Sequence, residues 1–285
     1  MKTGHDTYIR RAEIAQLILL HQLYMQRNSH ALIFQGGTAL RWCYGGSRFS
    51  EDLDFVTTLA PQTIGAILRR VLPGIEKLMI PHFGVGSVKL TEKASRSEAF
   101  KCFVTFEPQN SRDKVSVKLE FESLSAQGKP EARNHILSSL PAVSYLIAAG
   151  EFRVPRPHTV VVAETPGEIL SDKVRSLLER PYLKGRDLYD VWYLRTALQP
   201  EMDPVMLAGK FVMYRAPFCA RRTLTFFSSP TEEGKKMMRE AMEGDLSRFL
   251  PPDVLAVYRA NGFAAFLDAV QILFRTLEER GVRLP

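Results

Sequence analysis

The stretch that most constrains this chain is a glycine pair followed, fifteen residues later, by two aspartates one residue apart. It reads Gly36-Gly37-Thr38-Ala39-Leu40, then Arg48-Phe49-Ser50-Glu51-Asp52-Leu53-Asp54-Phe55. The apolar run Ala31–Gln35 predicts a strand entering a tight turn at the glycines, Thr38–Tyr44 a helix that Gly45-Gly46 stops, and Leu53–Thr57 the next strand. Two glycines between a strand and a helix let the backbone approach a phosphate, with N–H groups and the helix dipole aimed at it. On a strand, residues i and i+2 share a face with Cα atoms roughly 6.6 Å apart. Asp52 and Asp54 can therefore share a pair of Mg²⁺ ions, which sit about 3.5–4 Å apart in two-metal sites, while Leu53 and Phe55 point into a core. Carboxylate oxygens are the hard ligands Mg²⁺ prefers. An isolated pair of this kind is more often a solvated strand face; its position after the glycine turn favours a metal site.

The rest of the chain reads as two lobes. An amphipathic helix is predicted over Ile9–Met25 and another from Thr63 to Leu78. Gly86–Thr91, Ala99–Glu107 and Lys114–Ser123 follow as β-like stretches, whose polar links Lys93–Glu98 and Pro108–Asp113 make an antiparallel meander. In the third, Val115, Val117, Leu119 and Phe121 share one face and Ser116, Lys118, Glu120 and Glu122 the other. Gln127–Pro130 is a loop, and the Pro-rich stretch Val154–Pro157 before the strand Thr159–Ala163 marks the change of lobe. Thr165-Pro166-Gly167-Glu168 is a capping box opening a helix. Helices are then predicted over Asp187–Leu198, Met206–Tyr214, Thr231–Phe249 and Gly262–Arg280. The expected fold is mixed α/β, with a lobe at 1–160 carrying the mixed sheet and a helical lobe at 161–285.

Further residues are candidates for chemistry. A third carboxylate is expected on the polar face of the meander, with Glu120 chosen over Glu122 on slender grounds. Lys173 and Arg180 stand at i and i+7 on one helix face and could bind a triphosphate. Asp187 and Asp190 stand at i and i+3, where Asp187 could equally be an N-cap. The formal net charge of +7 and a pI of about 9.3 suit nucleic acid or nucleoside triphosphates. Between Met206 and Arg239 seven basic residues stand against two acidic ones. Arg221, Arg222, Lys235 and Lys236 in this stretch are the expected phosphate-tracking RNA contacts.

Together the order GGTALRWCYGGSRFSEDLDF, VKLEFE, ETPGEILSDKVRSLLER and KGRDLYDVWYL resembles the AbiEii/AbiGii nucleotidyltransferase toxin family. That resemblance implies a polymerase-β-like nucleotidyltransferase lobe and a toxin of a bacterial toxin–antitoxin pair, its antitoxin encoded by a neighbouring gene. It implies that Gly36 and Gly37 form the phosphate turn with Thr38 after them, that Ser50 lies near the triphosphate, and that Asp52 and Asp54 hold the metals. Lys173 and Arg180 would contact the nucleotide. Asp187 and Asp190 would fill the last motif, Asp187 as the stronger catalytic candidate. The implied reaction is Mg²⁺-dependent transfer of a nucleoside monophosphate from an NTP to an acceptor, with the tRNA 3′ end the implied acceptor.

Two other functions remain open on sequence. A small-molecule transferase of the antibiotic-modifying kind would share the glycine turn and aspartate pair, but needs an acidic pocket for a cationic substrate. A nucleotide-dependent RNA-binding module without turnover is the other. Three dispersed cysteines without a CxxC spacing suggest free thiols. No apolar run approaches the roughly 20 residues of a membrane span, and the expected location is the cytoplasm.

Overall fold

A computed structural model describes residues 4–93, 99–126, 128–155 and 158–285. The link residues Ala94–Glu98, Gln127 of the predicted loop, and Arg156 and Pro157 of the Pro-rich stretch lie outside them. The chain forms two compact units. The first is drawn from Met1–Gly45, Ser50–Ala126 and Ala132–Glu164. The second is drawn from Gly46–Phe49, Gln127–Glu131 and Thr165–Pro285. The last strand thus stays with the first unit, and two short segments from earlier in the chain belong to the second.

The first unit contains α1 (Gly4–Tyr24), β1 (Leu32–Gln35), α2 (Gly36–Cys43), β2 (Leu53–Thr57), α3 (Pro61–Phe83), β3 (Gly86–Lys93), β4 (Ala99–Pro108), β5 (Val115–Ser123), β6 (Ala132–Ile136), α4 (Pro141–Ala148) and β7 (Val160–Glu164). The strands form one mixed sheet in the order β3-β4-β5-β2-β1-β7-β6. The predicted antiparallel meander is β3-β4-β5. β2 pairs antiparallel with β1 and parallel with β5. β6 and α4 were not read from sequence. Helix α3 runs past the expected Leu78, through Pro81, and stops where Gly84 takes φ +87°.

One row of aromatic side chains explains the register. Phe34 of β1 sits opposite Phe55 of β2, Phe55 opposite Phe121 of β5, and Phe121 opposite Phe100 of β4. Their ring centroids are 5.4, 5.0 and 6.1 Å apart along the row, and Tyr24 of α1 lies 6.4 Å from Phe55. All four phenylalanines are buried. Cross-strand aromatic pairs are among the stronger stabilising pairs of a sheet. Because side chains alternate, the next residue on each strand faces the opposite side. That second row reads Gln35, Asp54, Glu120, Lys101.

The second unit contains α5 (Pro166–Glu179), α6 (Gly185–Tyr193), a π-helical turn at Leu194–Leu198, α7 (Pro204–Met213), α8 (Thr225–Ser228), α9 (Glu232–Leu246), α10 (Pro252–Ala260) and α11 (Ala264–Glu279). Thr165 caps α5, its Oγ1 accepting from the N–H of Glu168. The reciprocal half of the predicted capping box is absent: Glu168 Oε1 accepts from the Glu131 N–H (2.9 Å), and the Thr165 N–H goes to the Glu131 carbonyl (3.0 Å). The helix expected to open at Asp187 opens at Gly185 with Lys184 at the N-cap, so Asp187 is a first-turn residue. Gly185 is buried against α9, where a Cβ would meet Met242 Cα at 2.4 Å and the Ala241 carbonyl at 2.5 Å. Only glycine allows that approach. Among the described residues no helix is long and apolar enough to cross a membrane.

Removing an inner ring of the aromatic row tests its weight. Phe55→Ala should lower stability by about 3–5 kcal/mol, the usual cost of truncating a buried phenylalanine. Urea unfolding checks this; a loss below about 1 kcal/mol would show that the row does not hold the sheet.

Candidate active site

In the first unit, β1 ends at Gln35 and the chain turns directly into α2. Gly36 makes the turn with φ +77°, and a Cβ there would fall 2.9 Å from Asp54 Oδ2. The glycine thus serves twice, supplying left-handed backbone and room for a carboxylate at the start of a helix. Gly37 and Thr38 are buried behind it. Thr38 Oγ1 hydrogen-bonds Ser50 Oγ (2.8 Å) and donates to the carbonyl of Asp52. From α1, Gln16 Nε2 donates to the carbonyls of Ser50 (2.7 Å) and Glu51 (3.0 Å), while Trp42 Nε1 holds Gln16 Oε1 (3.2 Å). The segment Ser50–Asp52 is therefore clamped from two helices, and β2 carries the clamp on to Asp54.

The strand register places Glu120, not Glu122, opposite Asp54. Glu120 pairs with Lys101 at 2.8 Å and closely with Lys118, whose Nζ is also 3.9 Å from Asp52 Oδ2. Burial alone would raise the Glu120 pKa, but the two lysines more than offset it and hold the carboxyl below its usual range. Lys118 is likewise disfavoured by burial, yet Glu120, Asp52 and Asp54 raise its pKa. Among the described residues no group of three or more acids, histidines or cysteines is placed to hold a metal ion. Asp52 and Asp54 nevertheless suit Mg²⁺: both are hard-oxygen donors, both are half-buried, and Gly36 keeps the space beside Asp54 clear of a side chain.

In the second unit, α5 and α6 build a buried charge network. Lys173 Nζ reaches Asp187 Oδ1 (2.8 Å) and Asp190 Oδ2 (2.7 Å). Arg180, at the end of α5, reaches Asp187 Oδ2 (2.5 Å). Arg48 closes the network with a two-pronged pair to Asp190, Nε–Oδ1 and Nη2–Oδ2 both 2.6 Å. Burial works against the charges on Arg48, Lys173, Asp187 and Asp190, but their partners prevail. Lys173, with Asp187 and Asp190 beside it, and Arg48, with Asp190, have raised pKa values. Asp187, beside Lys173 and Arg180, and Asp190, beside Arg48 and Lys173, have lowered ones. At neutral pH all are charged.

The sequence reading did not single out Arg48, whose partner is 142 residues away. Nor did it single out Lys118, although the alternation of β5 puts it beside Glu120. Of the four expected RNA contacts, Arg222 donates to the carbonyls of Leu177 (3.1 Å), Arg180 (2.6 Å) and Pro181 (3.3 Å), and so caps the end of α5. Lys235 pairs with Glu232 and Lys236 with Glu240. Arg221 is exposed.

The profile of the family described as "Nucleotidyl transferase AbiEii toxin, Type IV TA system" matches residues 18–270. The chain belongs to the AbiEii nucleotidyltransferase toxin family. Family membership makes it a nucleotidyltransferase, with an NTP substrate and an antitoxin partner. Two crystal structures from Helicobacter pylori share the fold. One, a candidate nucleotidyltransferase, has a TM-score of 0.56 at 17% identity, covering 96% of this chain and 97% of that one. The other, JHP933, has a TM-score of 0.55 at 15% identity, covering 97% and 95%. No curated protein matches the sequence.

The Arg48–Asp190 pair yields a test of the AbiEii network. Arg48→Leu leaves Asp190 buried with one partner fewer, and should cost about 3–5 kcal/mol in urea unfolding. Arg48→Lys should not restore it, because an ammonium cannot reproduce the two-pronged contact. A wild-type midpoint for Arg48→Leu would show that the pair adds no net stability.

Proposed function

We propose that this toxin uses Mg²⁺ to transfer a nucleoside monophosphate from an NTP to the 3′ end of tRNA. The observation that carries the reading is the cradle at β1–α2–β2, where a left-handed glycine leaves room for Asp54 beside a helix N-terminus. Mg²⁺ is commonly held by one or two carboxylates plus substrate phosphates and water. Asp52 and Asp54 meet that requirement; Glu120, opposite Asp54 in register, would have to give up Lys101 and Lys118 to join them as a third carboxylate. When bound, the ion would neutralise phosphate charge and make an acceptor hydroxyl more acidic.

The remaining roles follow from residue chemistry. The backbone N–H groups of Gly36 and Gly37 belong to the first turn of α2, the end of a helix at which phosphate oxygens bind well. Thr38 fixes the Ser50 segment, and the Ser50 hydroxyl, bonded to Thr38 Oγ1 in the free protein, turns its proton to the triphosphate when the nucleotide binds. Lys173 and Arg180 contribute positive charge to the nucleotide; Asp187 holds both, and Asp187 with Asp190 keeps Lys173 protonated. In the reaction the acceptor oxygen forms a bond to the α-phosphorus as the bond to pyrophosphate breaks. Arg221, Lys235 and Lys236 track acceptor phosphates, and Arg222 shapes the surface from which Arg221 projects. The basic balance of the chain, +7, favours a polyanionic acceptor over a cationic small molecule.

Asp54→Asn removes a charge that the metal requires without changing the side chain's size. Transfer should fall by at least about a hundredfold, on the scale of losing several kcal/mol of charge stabilisation, while the thermal melt stays at the wild-type temperature. Wild-type turnover by a folded Asp54→Asn protein would refute the metal assignment.

A further inference from the structure

The loop joining α5 to α6, Arg180-Pro181-Tyr182-Leu183-Lys184, ends on a lysine that stands beside the ion-paired Arg180 and the following Arg186. The principal charges acting on Lys184 are the cations Arg180, Arg186 and Lys173 and a single carboxylate, Asp187. Asp187 is already bonded to Lys173 and Arg180. Asp190 is engaged by Arg48 and Lys173. Asp245 of α9 accepts the backbone N–H of Arg186 (3.1 Å). Among the described residues neither Lys184 nor Arg186 forms an ion pair. Lys184 is half-buried, its ammonium 5.9 Å from the ring centre of Tyr182, and the Arg186 guanidinium lies 5.1 Å from the ring centre of Phe249. Tyr182 is itself 62% exposed.

Like charges held together in partly desolvated surroundings destabilise a fold unless something of opposite sign joins them. We propose that Lys184 and Arg186, together with Arg180, form a phosphate-binding subsite, with exposed Tyr182 offering a ring face to the adjoining base or sugar. Neighbouring guanidinium and ammonium donors match the several oxygens of a phosphate better than the two of a carboxylate. An aromatic face beside cations is a recurrent way of holding a nucleotide unit. This inference deepens the function proposed above and rests on it for the phosphate's source, which is either the triphosphate of the NTP or the backbone of the acceptor RNA.

Lys184 offers a direct readout. Burial and the neighbouring cations Arg180 and Arg186 bring its ammonium down to about 8. At pH 8 it is close to half neutral, whereas an ordinary lysine near 10.4 is neutral in less than about 1% of molecules. Brief treatment of the folded, full-length protein with acetic anhydride at pH 8, read lysine by lysine by mass spectrometry, should modify Lys184 ahead of the other side-chain amines. Inorganic tripolyphosphate, ATP and total tRNA are the probes. Protection by tripolyphosphate or ATP identifies the nucleotide as the source of the phosphate; protection by tRNA alone identifies the acceptor backbone. Lys184→Gln, melting as wild type, should bind the protecting probe about tenfold more weakly, as befits one lost charge-assisted contact. If that probe is tRNA, the slope of its salt dependence should also fall by about one.

A Lys184 no more reactive than other lysines would overturn the proposal. So would reactivity that none of the three probes reduces, or wild-type binding by Lys184→Gln. These readouts need no turnover. Protection of Lys184 in a protein that transfers no nucleotide to tRNA would leave the subsite standing and remove the proposed tRNA-transfer reaction instead.

Discussion

The candidate site depends first on strand register. Phe34, Phe55, Phe121 and Phe100 meet across four strands, and in doing so bring Gln35, Asp54, Glu120 and Lys101 into line on the other face. A slip of one residue in β2 would bury Asp54 and expose Phe55, an error that buried aromatic surface strongly disfavours. The position of the aspartates is therefore secured by their apolar neighbours. The clamp of Gln16 and Thr38 on Ser50–Asp52 then orients the residues just ahead of the strand, where pairing no longer does so.

The second unit solves a different problem by the same economy of parts. Arg48, Lys173 and Arg180 share Asp187 and Asp190 inside a helical packing where an unpaired charge would be costly. Gly185 admits the close contact of α6 with α9, which sets the first turn of α6 and hence Asp187. Among the described residues the network leaves Lys184 and Arg186 without an ion-pair carboxylate, so the arrangement that satisfies Lys173 and Arg48 leaves positive charge beside it.

The local features of the site were legible in the sequence, because their signals lie within a few residues. The strand Leu53–Thr57, the alternation of β5 and the Thr165 cap emerged with the right residues in place, while the helix read from Thr38 opens already at Gly36 and Asp52, read as a strand residue, lies just before β2. What was not legible depended on distant partners. The choice between Glu120 and Glu122 as the neighbour of Asp54 is made by register alone. Arg48 looks like any arginine in a loop until Asp190 is brought beside it. β6 escaped notice because an edge strand with a wet face lacks apolar alternation, as Ala132–Ile136 shows. The opening of α6 at Gly185 was also missed, since Asp187 has the residue type of a cap but sits in the first turn. Helix α10 had a signal that went unread: Pro251-Pro252, with Pro252 at its first position.

The account's central claim is that this AbiEii protein joins a nucleotide to RNA. Incubating the purified protein with each α-labelled NTP, Mg²⁺ and total tRNA measures that claim directly, with products resolved by size and by digestion from the 3′ end. The account predicts label covalently attached at the tRNA 3′ terminus, with release of one pyrophosphate per nucleotide added. Label confined to small molecules, or nucleotide bound without incorporation, would contradict it.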